Sequence, residues 1–409
     1  MNSRQETLLR ILSLMQQGTV TPEEAADLID ALYEIAPAPE AKPLADAPAN
    51  GNGATKRGLF DQILRAAEEA VKATGQAVRE VNWRQIGQSV REQTQRGIDE
   101  LRKTLDELEK SDWSLGRWGK FETDLQQTMD LAMVGGQSLS IELPAGDLHI
   151  TGGFDGGRVE ADIRLRGANQ QTVEQAQAAY SLTVEQTENG IRITAPQLES
   201  DLQQKVNLRL QIPRQVSLHA RLKHKGTIEV EKLDGDVALR TPHGDIYLRH
   251  LRGSAQLETV HGDVQITDLR GERVQITLVN GDAWMRDLKA ERVAVHATNG
   301  DVETERAEIR NMTVETVRGD IQLDLLTPIQ GEARLTTVKG DITVDLPDGN
   351  DCRVQMHTSA GDIECALECR EVESSKNYYT GVAGDGTGTL ALETVHGDLR
   401  IALRAHETA

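Results

Sequence analysis

A Gly-Asp pair recurs through the second half of the chain, at Gly244-Asp245, Gly262-Asp263, Gly281-Asp282, Gly300-Asp301, Gly319-Asp320, Gly340-Asp341 and Gly361-Asp362. From Gly to Gly the steps are 18, 19, 19, 19, 21 and 21 residues. Self-similarity at such a period is the signature of a stacked repeat, in which each unit touches only its neighbours.

The residues flanking each pair identify the repeat. Seven, five and three positions before the Gly stand Ala255, Leu257, Thr259, then Val274, Ile276, Leu278, then Val293, Val295, Ala297, then Met312, Val314, Thr316, then Ala333, Leu335, Thr337. Two and four positions after it stand Val264 and Ile266, Ala283 and Met285, Val302 and Thr304, Ile321 and Leu323, Ile342 and Val344. A spacing of two places these side chains on one face of a strand. Each period therefore holds two short strands joined at a Gly-Asp corner, with a second corner near Leu251, Leu269 and Leu288. One such unit cannot bury its apolar face alone, so the units stack. The prediction is a mainly β fold, a parallel β-solenoid with one coil per period.

At the corner, Gly supplies a positive φ and Asp accepts hydrogen bonds from turn amides. Stacking brings successive Asp residues to about 4.8 Å, the strand spacing. Like charges repel there by roughly 1 kcal/mol per pair in water. Either turn amides or a cation must offset this. Calcium-binding β-rolls need several Gly per turn; this repeat has one, which favours a structural role for Asp245, Asp263, Asp282, Asp301, Asp320, Asp341, Asp362 and Asp398. The preceding column runs His243, His261, Asn280, Asn299, Arg318, Lys339. Its changing chemistry reads as a solvated edge, with a transition-metal site as the alternative.

Across 409 residues the net charge is −20, which argues against nucleic acid as a partner. Aromatic residues make up only 3%, in keeping with a narrow aliphatic coil interior. Cys352, Cys365 and Cys369 are odd in number and lack metal-ligand spacing, so neither a disulfide framework nor a zinc site is expected. Cys365 falls on an inward column and reads as a small core residue. No cofactor motif occurs.

Ahead of the repeat, Leu8, Leu9, Ile11, Leu12 and Met15 lie at helical spacing. Thr21-Pro22-Glu23-Glu24 forms a capping box, and Ala25, Leu28, Ile29 and Leu32 form a second stripe. Residues 1–35 are thus a helical hairpin too small to be stable alone. It is either a docking or self-association module with Leu8, Leu12, Leu28 and Leu32 as its contact face, or a cap. Residues 36–58 are a Pro/Ala-rich, then Gly/Asn-rich, flexible linker. From Leu59 an amphipathic helical pattern runs to about Lys110, some 75 Å if continuous, and the 59–121 region carries Phe60, Trp83, Trp113, Trp118 and Phe121. It packs on protein, its Trp113–Phe121 end sealing the solenoid, or makes peripheral membrane contact. The first residues lack a secretory pattern, and no run approaches the ~20 apolar residues of a span. The expectation is a cytoplasmic protein.

Strands resume at Gln137 and continue to about residue 404. Gly146-Asp147 echoes the repeat, residues 169–180 read as an inserted helix, and Asn189-Gly190 marks a hairpin. Between Gly361 and Gly397 the step lengthens to 36 residues. The Tyr378-Tyr379 and Gly-rich segments fill it as a looped-out excursion before Thr394–Asp398 resumes the motif.

The hairpin ILSLMQQGTVTPEEAADLIDAL, the Pro-rich linker and the T-V-x-G-D motif together resemble the YvlB/LiaX-like bacterial proteins. The motif stands at Thr259–Asp263, Thr316–Asp320, Thr337–Asp341 and Thr394–Asp398, while Leu278 and Ala297 depart from it. In that family the front is SHOCT-like and the β part is labelled an adhesin-like β-strand repeat. The resemblance covers residues 1–35 and 137–404. It implies no catalytic residues and a role in the response to cell-envelope stress.

Two further classes compete with such a non-enzymatic scaffold. An enzyme of the β-helix lyase or hydrolase kind needs acids converging in a cleft, whereas here they spread along every coil. A polymerising solenoid of bactofilin type needs bare ends, whereas both ends here carry extra sequence. A surface adhesin is the remaining alternative.

Overall fold

The computed structural model describes residues 121–199 and 201–404. The hairpin, linker and helical pattern read in residues 1–110, with Leu8, Leu12, Leu28 and Leu32, lie outside the described residues.

The repeat folds as its periodicity dictates, into two parallel stacks with one strand from each coil in each. Ahead of the Gly-Asp corner, Val237–His243 pairs with Ala255–His261. The stack continues through the C-terminal halves of Val264–Asn280, Ala283–His296 and Val302–Glu315 to Glu332–Lys339. After the corner, Ile246–Arg252 leads through the N-terminal halves of the same long strands to Ile321–Leu325 and Ile342–Leu346. The second corner is a single residue in the left-handed region, Lys232, His250, Asp268, Asp287 or Arg306, with φ between 52° and 58°. Leu251, Leu269 and Leu288 follow it inward and are buried.

All the alternate positions identified about the corners face the interior, and Ile266, Ile276 and Val295 are wholly enclosed. Burying each such aliphatic side chain stabilises the fold by about 1.5–3 kcal/mol. Because each coil meets only two neighbours, this core is a column of layers rather than a sphere.

At the front, Ser138–Leu143 and Leu148–Gly152 form the first coil, stacked under Ser217–Leu222 and Ile228–Leu233. The intervening chain closes that end. Gly157–Gly167 pairs antiparallel with Leu202–Ile212 and with Phe121–Leu131. The helix Gln170–Ala179, N-capped by Asn169, packs on these strands. Thr183–Thr187 and Gly190–Thr194 form the hairpin expected at Asn189-Gly190. Phe121, grouped by sequence with the helical region, instead opens the edge strand, so the β structure begins ahead of Gln137.

The far end departs from the sequence order. Gly388–His396 and Leu399–Leu403 slot between the coil of Glu332–Leu346 and the earlier strands Cys352–Ala360 and Ile363–Cys365. The last coil of the chain is therefore the penultimate coil of the stack. The segment expected as a looped-out excursion folds largely into strands. Arg370–Ser375 and Tyr378–Ala383 pair antiparallel beside Cys352–Ala360, because an antiparallel hairpin is a short way to cover an exposed edge. Cys352 is buried, while Cys365 and Cys369 are only half-buried at this rim.

Candidate functional site at the Gly-Asp corners

The corner that organises the sequence also forms a continuous polar edge from Asp245 to Asp362. Its geometry requires Gly twice over. At Gly281 φ is 144°, and a Cβ would stand 2.1 Å from the carbonyl oxygen of Gly262 in the coil below. Gly is stacked on Gly along the whole edge, with no room for a side chain between.

The Asp residues beside them form a ladder. Each backbone N–H donates to a carboxylate Oδ1 one coil away: Asp263 to Asp245 at 2.9 Å, Asp282 to Asp263 at 2.9 Å, Asp301 to Asp282 at 2.8 Å, Asp320 to Asp301 at 2.8 Å and Asp341 to Asp320 at 2.8 Å. It continues through the out-of-order coil, from Asp398 to Asp341 at 2.7 Å and from Asp362 to Asp398 at 2.8 Å. A negative charge accepting an amide proton is favourably placed, so turn amides offset the repulsion between stacked carboxylates. Asp147 joins the ladder as acceptor from the Thr227 N–H at 3.2 Å. Burial raises the pKa of Asp147, but its bonds to Lys205 and to that amide outweigh this and hold it below the usual carboxylate value.

A second ladder, not foreseen from the sequence, explains the Thr at three of the four T-V-x-G-D positions, while Thr316 donates instead to the Arg318 carbonyl at 3.4 Å. The hydroxyls of Thr241, Thr259, Thr337, Thr394 and Thr358 donate at 3.0–3.2 Å to the carbonyls of Gly226, Gly244, Gly319, Gly340 and Gly397. These threonines are almost fully buried, and the hydroxyl satisfies a carbonyl at the bend that the strand ladder does not reach. The recurrence of Thr on an otherwise aliphatic column was the available signal.

The column just before the Gly lines the outer edge. His243 stacks on His261 with ring centroids 4.9 Å apart and planes 4° from parallel. Asn280 bonds to the His261 ring at 3.1 Å, and Asn299 donates to Asn280 at 2.8 Å. Burial, then the neighbouring His261 and Lys225, hold His243 below the usual histidine pKa. Among the described residues no group of three His, Cys, Asp or Glu is placed to hold a metal ion.

Chemically this edge presents carboxylates in line, one per coil, each tied to a backbone amide. Beyond it, the strand faces carry cross-coil ion pairs such as Arg249 with Glu229 and Glu231, at 2.8 and 3.0 Å. The arrangement suits recognition along a rigid edge more than proton transfer at a point.

Solved structures from three bacteria align with about two thirds of this chain at low identity. A protein provisionally named an adhesin, from Bacteroides fragilis, is 12% identical, with 68% of this chain and 97% of that one covered and a TM-score of 0.32. One provisionally named a lipid-binding protein, from Parabacteroides distasonis, is 9% identical over 69% and 97%, with a TM-score of 0.35. One provisionally named for cell adhesion, from Clostridium sporogenes, is 10% identical over 69% and 100%, with a TM-score of 0.19. No curated protein matches the sequence. The Toastrack DUF4097 model matches residues 136–402, which take in every coil described above, and the chain belongs to that family.

Proposed function

We propose that this protein is a non-enzymatic scaffold in the bacterial response to cell-envelope stress, with the solenoid as a rigid platform and residues 1–35 as a SHOCT-like docking or self-association module. One observation carries the non-enzymatic part: the carboxylates of the corner edge run in line and are committed to backbone amides instead of converging on a cleft. The likeness of the N-terminal hairpin, linker and repeat to the YvlB/LiaX-like proteins supports the stress role. In this reading Leu8, Leu12, Leu28 and Leu32 form the contact face, residues 36–58 the tether, and residues 59–120 an amphipathic region in peripheral contact with protein or membrane. Among the described residues no helix is long and apolar enough to cross a membrane.

Deleting residues 1–35 tests the assignment. The expected result is an unchanged melting transition of the β domain, with a lower oligomeric mass or loss of a crosslinked partner from cells under cell-wall stress. A truncation that unfolds the β domain while mass and partners stay the same makes the hairpin a cap and overturns the docking role.

A further inference from the structure

The second corner carries both signs, with Asp268 and Asp287 at the bend and a short run of cations beside them. There the column after the buried Leu reads Arg252, Arg270 and Lys289 in direct register on adjacent strands. Parallel neighbours lie about 4.8 Å apart, so three cations are stacked on a chain whose net charge is −20. The Asp ladder offsets its own repulsion by accepting amide protons, but a guanidinium has no acceptor and cannot be relieved by a backbone N–H. Lys289 pairs with Glu308, and Arg270 lies 3.6 Å from Asp268, which also binds His250 at 2.9 Å. Arg252 has no ion-pair or hydrogen-bonding partner among the described residues, and neither have the Arg214 and Lys232 side chains beside it. These three side chains are exposed. They line a cleft of about 250 Å³ with Arg270, Asp234 and Asp268. Four cations against two carboxylates leave two positive charges uncompensated.

We propose that this cleft binds a phosphate monoester, its dianion held by Arg214, Lys232 and Arg252. Guanidinium groups match phosphate oxygens in bidentate geometry, and a lysine ammonium adds a point charge. The cleft belongs to the rigid coils and leaves the solvent side open, so the ester's remaining chain can extend outward. The site does not depend on the docking role of residues 1–35.

The ester can come from a soluble phosphate or from a lipid headgroup, and one experiment separates them. The full chain is titrated calorimetrically with glycerol 1-phosphate, and its binding to phosphatidylcholine vesicles doped with phosphatidic acid is measured by sedimentation. In at least one arm Arg252→Gln and Arg214→Gln are each expected to weaken binding about ten-fold or more, the loss of one charge-assisted contact. Arg400→Gln, in a different part of the stack, should leave binding unchanged. Thermal unfolding without ligand verifies that the variants are folded. Binding of glycerol phosphate marks a soluble source, and binding of vesicles alone marks a headgroup. No binding in either arm, or binding that neither cleft variant weakens, overturns the proposal.

Discussion

At Gly281 the positive φ and the 2.1 Å approach of a Cβ to the Gly262 carbonyl act together. Gly281→Ala is therefore expected to destabilise the β domain by about 2–3 kcal/mol or more, read as a lower denaturant midpoint with an unchanged slope. Thr337→Val keeps the shape and removes only the bond to Gly319, so its cost should be nearer about 1 kcal/mol. Leu278 and Ala297 already stand at this column without a hydroxyl, which bounds the penalty. His243 gives a pH signature. Its folded pKa is lowered, chiefly by burial, so below about pH 6.5 the unfolded chain binds more protons and stability falls as the pH drops. His243→Asn should flatten the melting temperature against pH in that window, and an unaltered slope would remove His243 as its cause.

Among the elements, the strands of the regular coils are the most exacting about which face a residue occupies. Ile276 is enclosed and Gln275 beside it points outward. Ile276→Asp should cost more than about 4 kcal/mol, since an unpaired buried charge has no compensation, whereas Gln275→Asp should stay within about 0.5 kcal/mol. Paired denaturation curves of the two variants test this. The same alternation made these strands legible in the sequence, together with the helix after Asn169 and the hairpin at Asn189-Gly190. Phe121–Leu131 was not legible as a strand, because its better-buried face carries Thr123, Leu125, Gln127 and Met129, all at most half-enclosed under the helix. A strand covered by one short helix needs no continuous apolar alternation. The Asp column could be read as a turn device, but the direction of its bonds could not, since a repeat period does not say which coil supplies the acceptor. The cationic cleft was also hidden, because Arg214 lies outside the repeat and meets Arg252 only through stacking.

Over the described residues, antiparallel strands finish the front of the stack and, at its far end, cover the Cys352–Ala360 side, which limits the open edges through which solenoids associate end to end. The far end reaches that state by an unusual route, with residues 388–403 inserted between two coils that precede them in the chain. Truncation after residue 387 should therefore strip amide-exchange protection from Ile363–Cys365 and from the amides of Glu332–Leu346 that face residues 388–403, not from the terminus alone. Protection retained in Ile363–Cys365 would mean that this strand can pair with Ile342–Leu346 directly. The insertion also sets a timetable for synthesis. A repeat added in order can be laid down as it leaves the ribosome, but here Cys352–Cys365 must wait for roughly 20 more residues before the parallel neighbour that joins them to the stack exists. Until then the growing end has no finished surface, so a nascent chain stopped early is left with an unsealed β edge, a template for pairing with other chains.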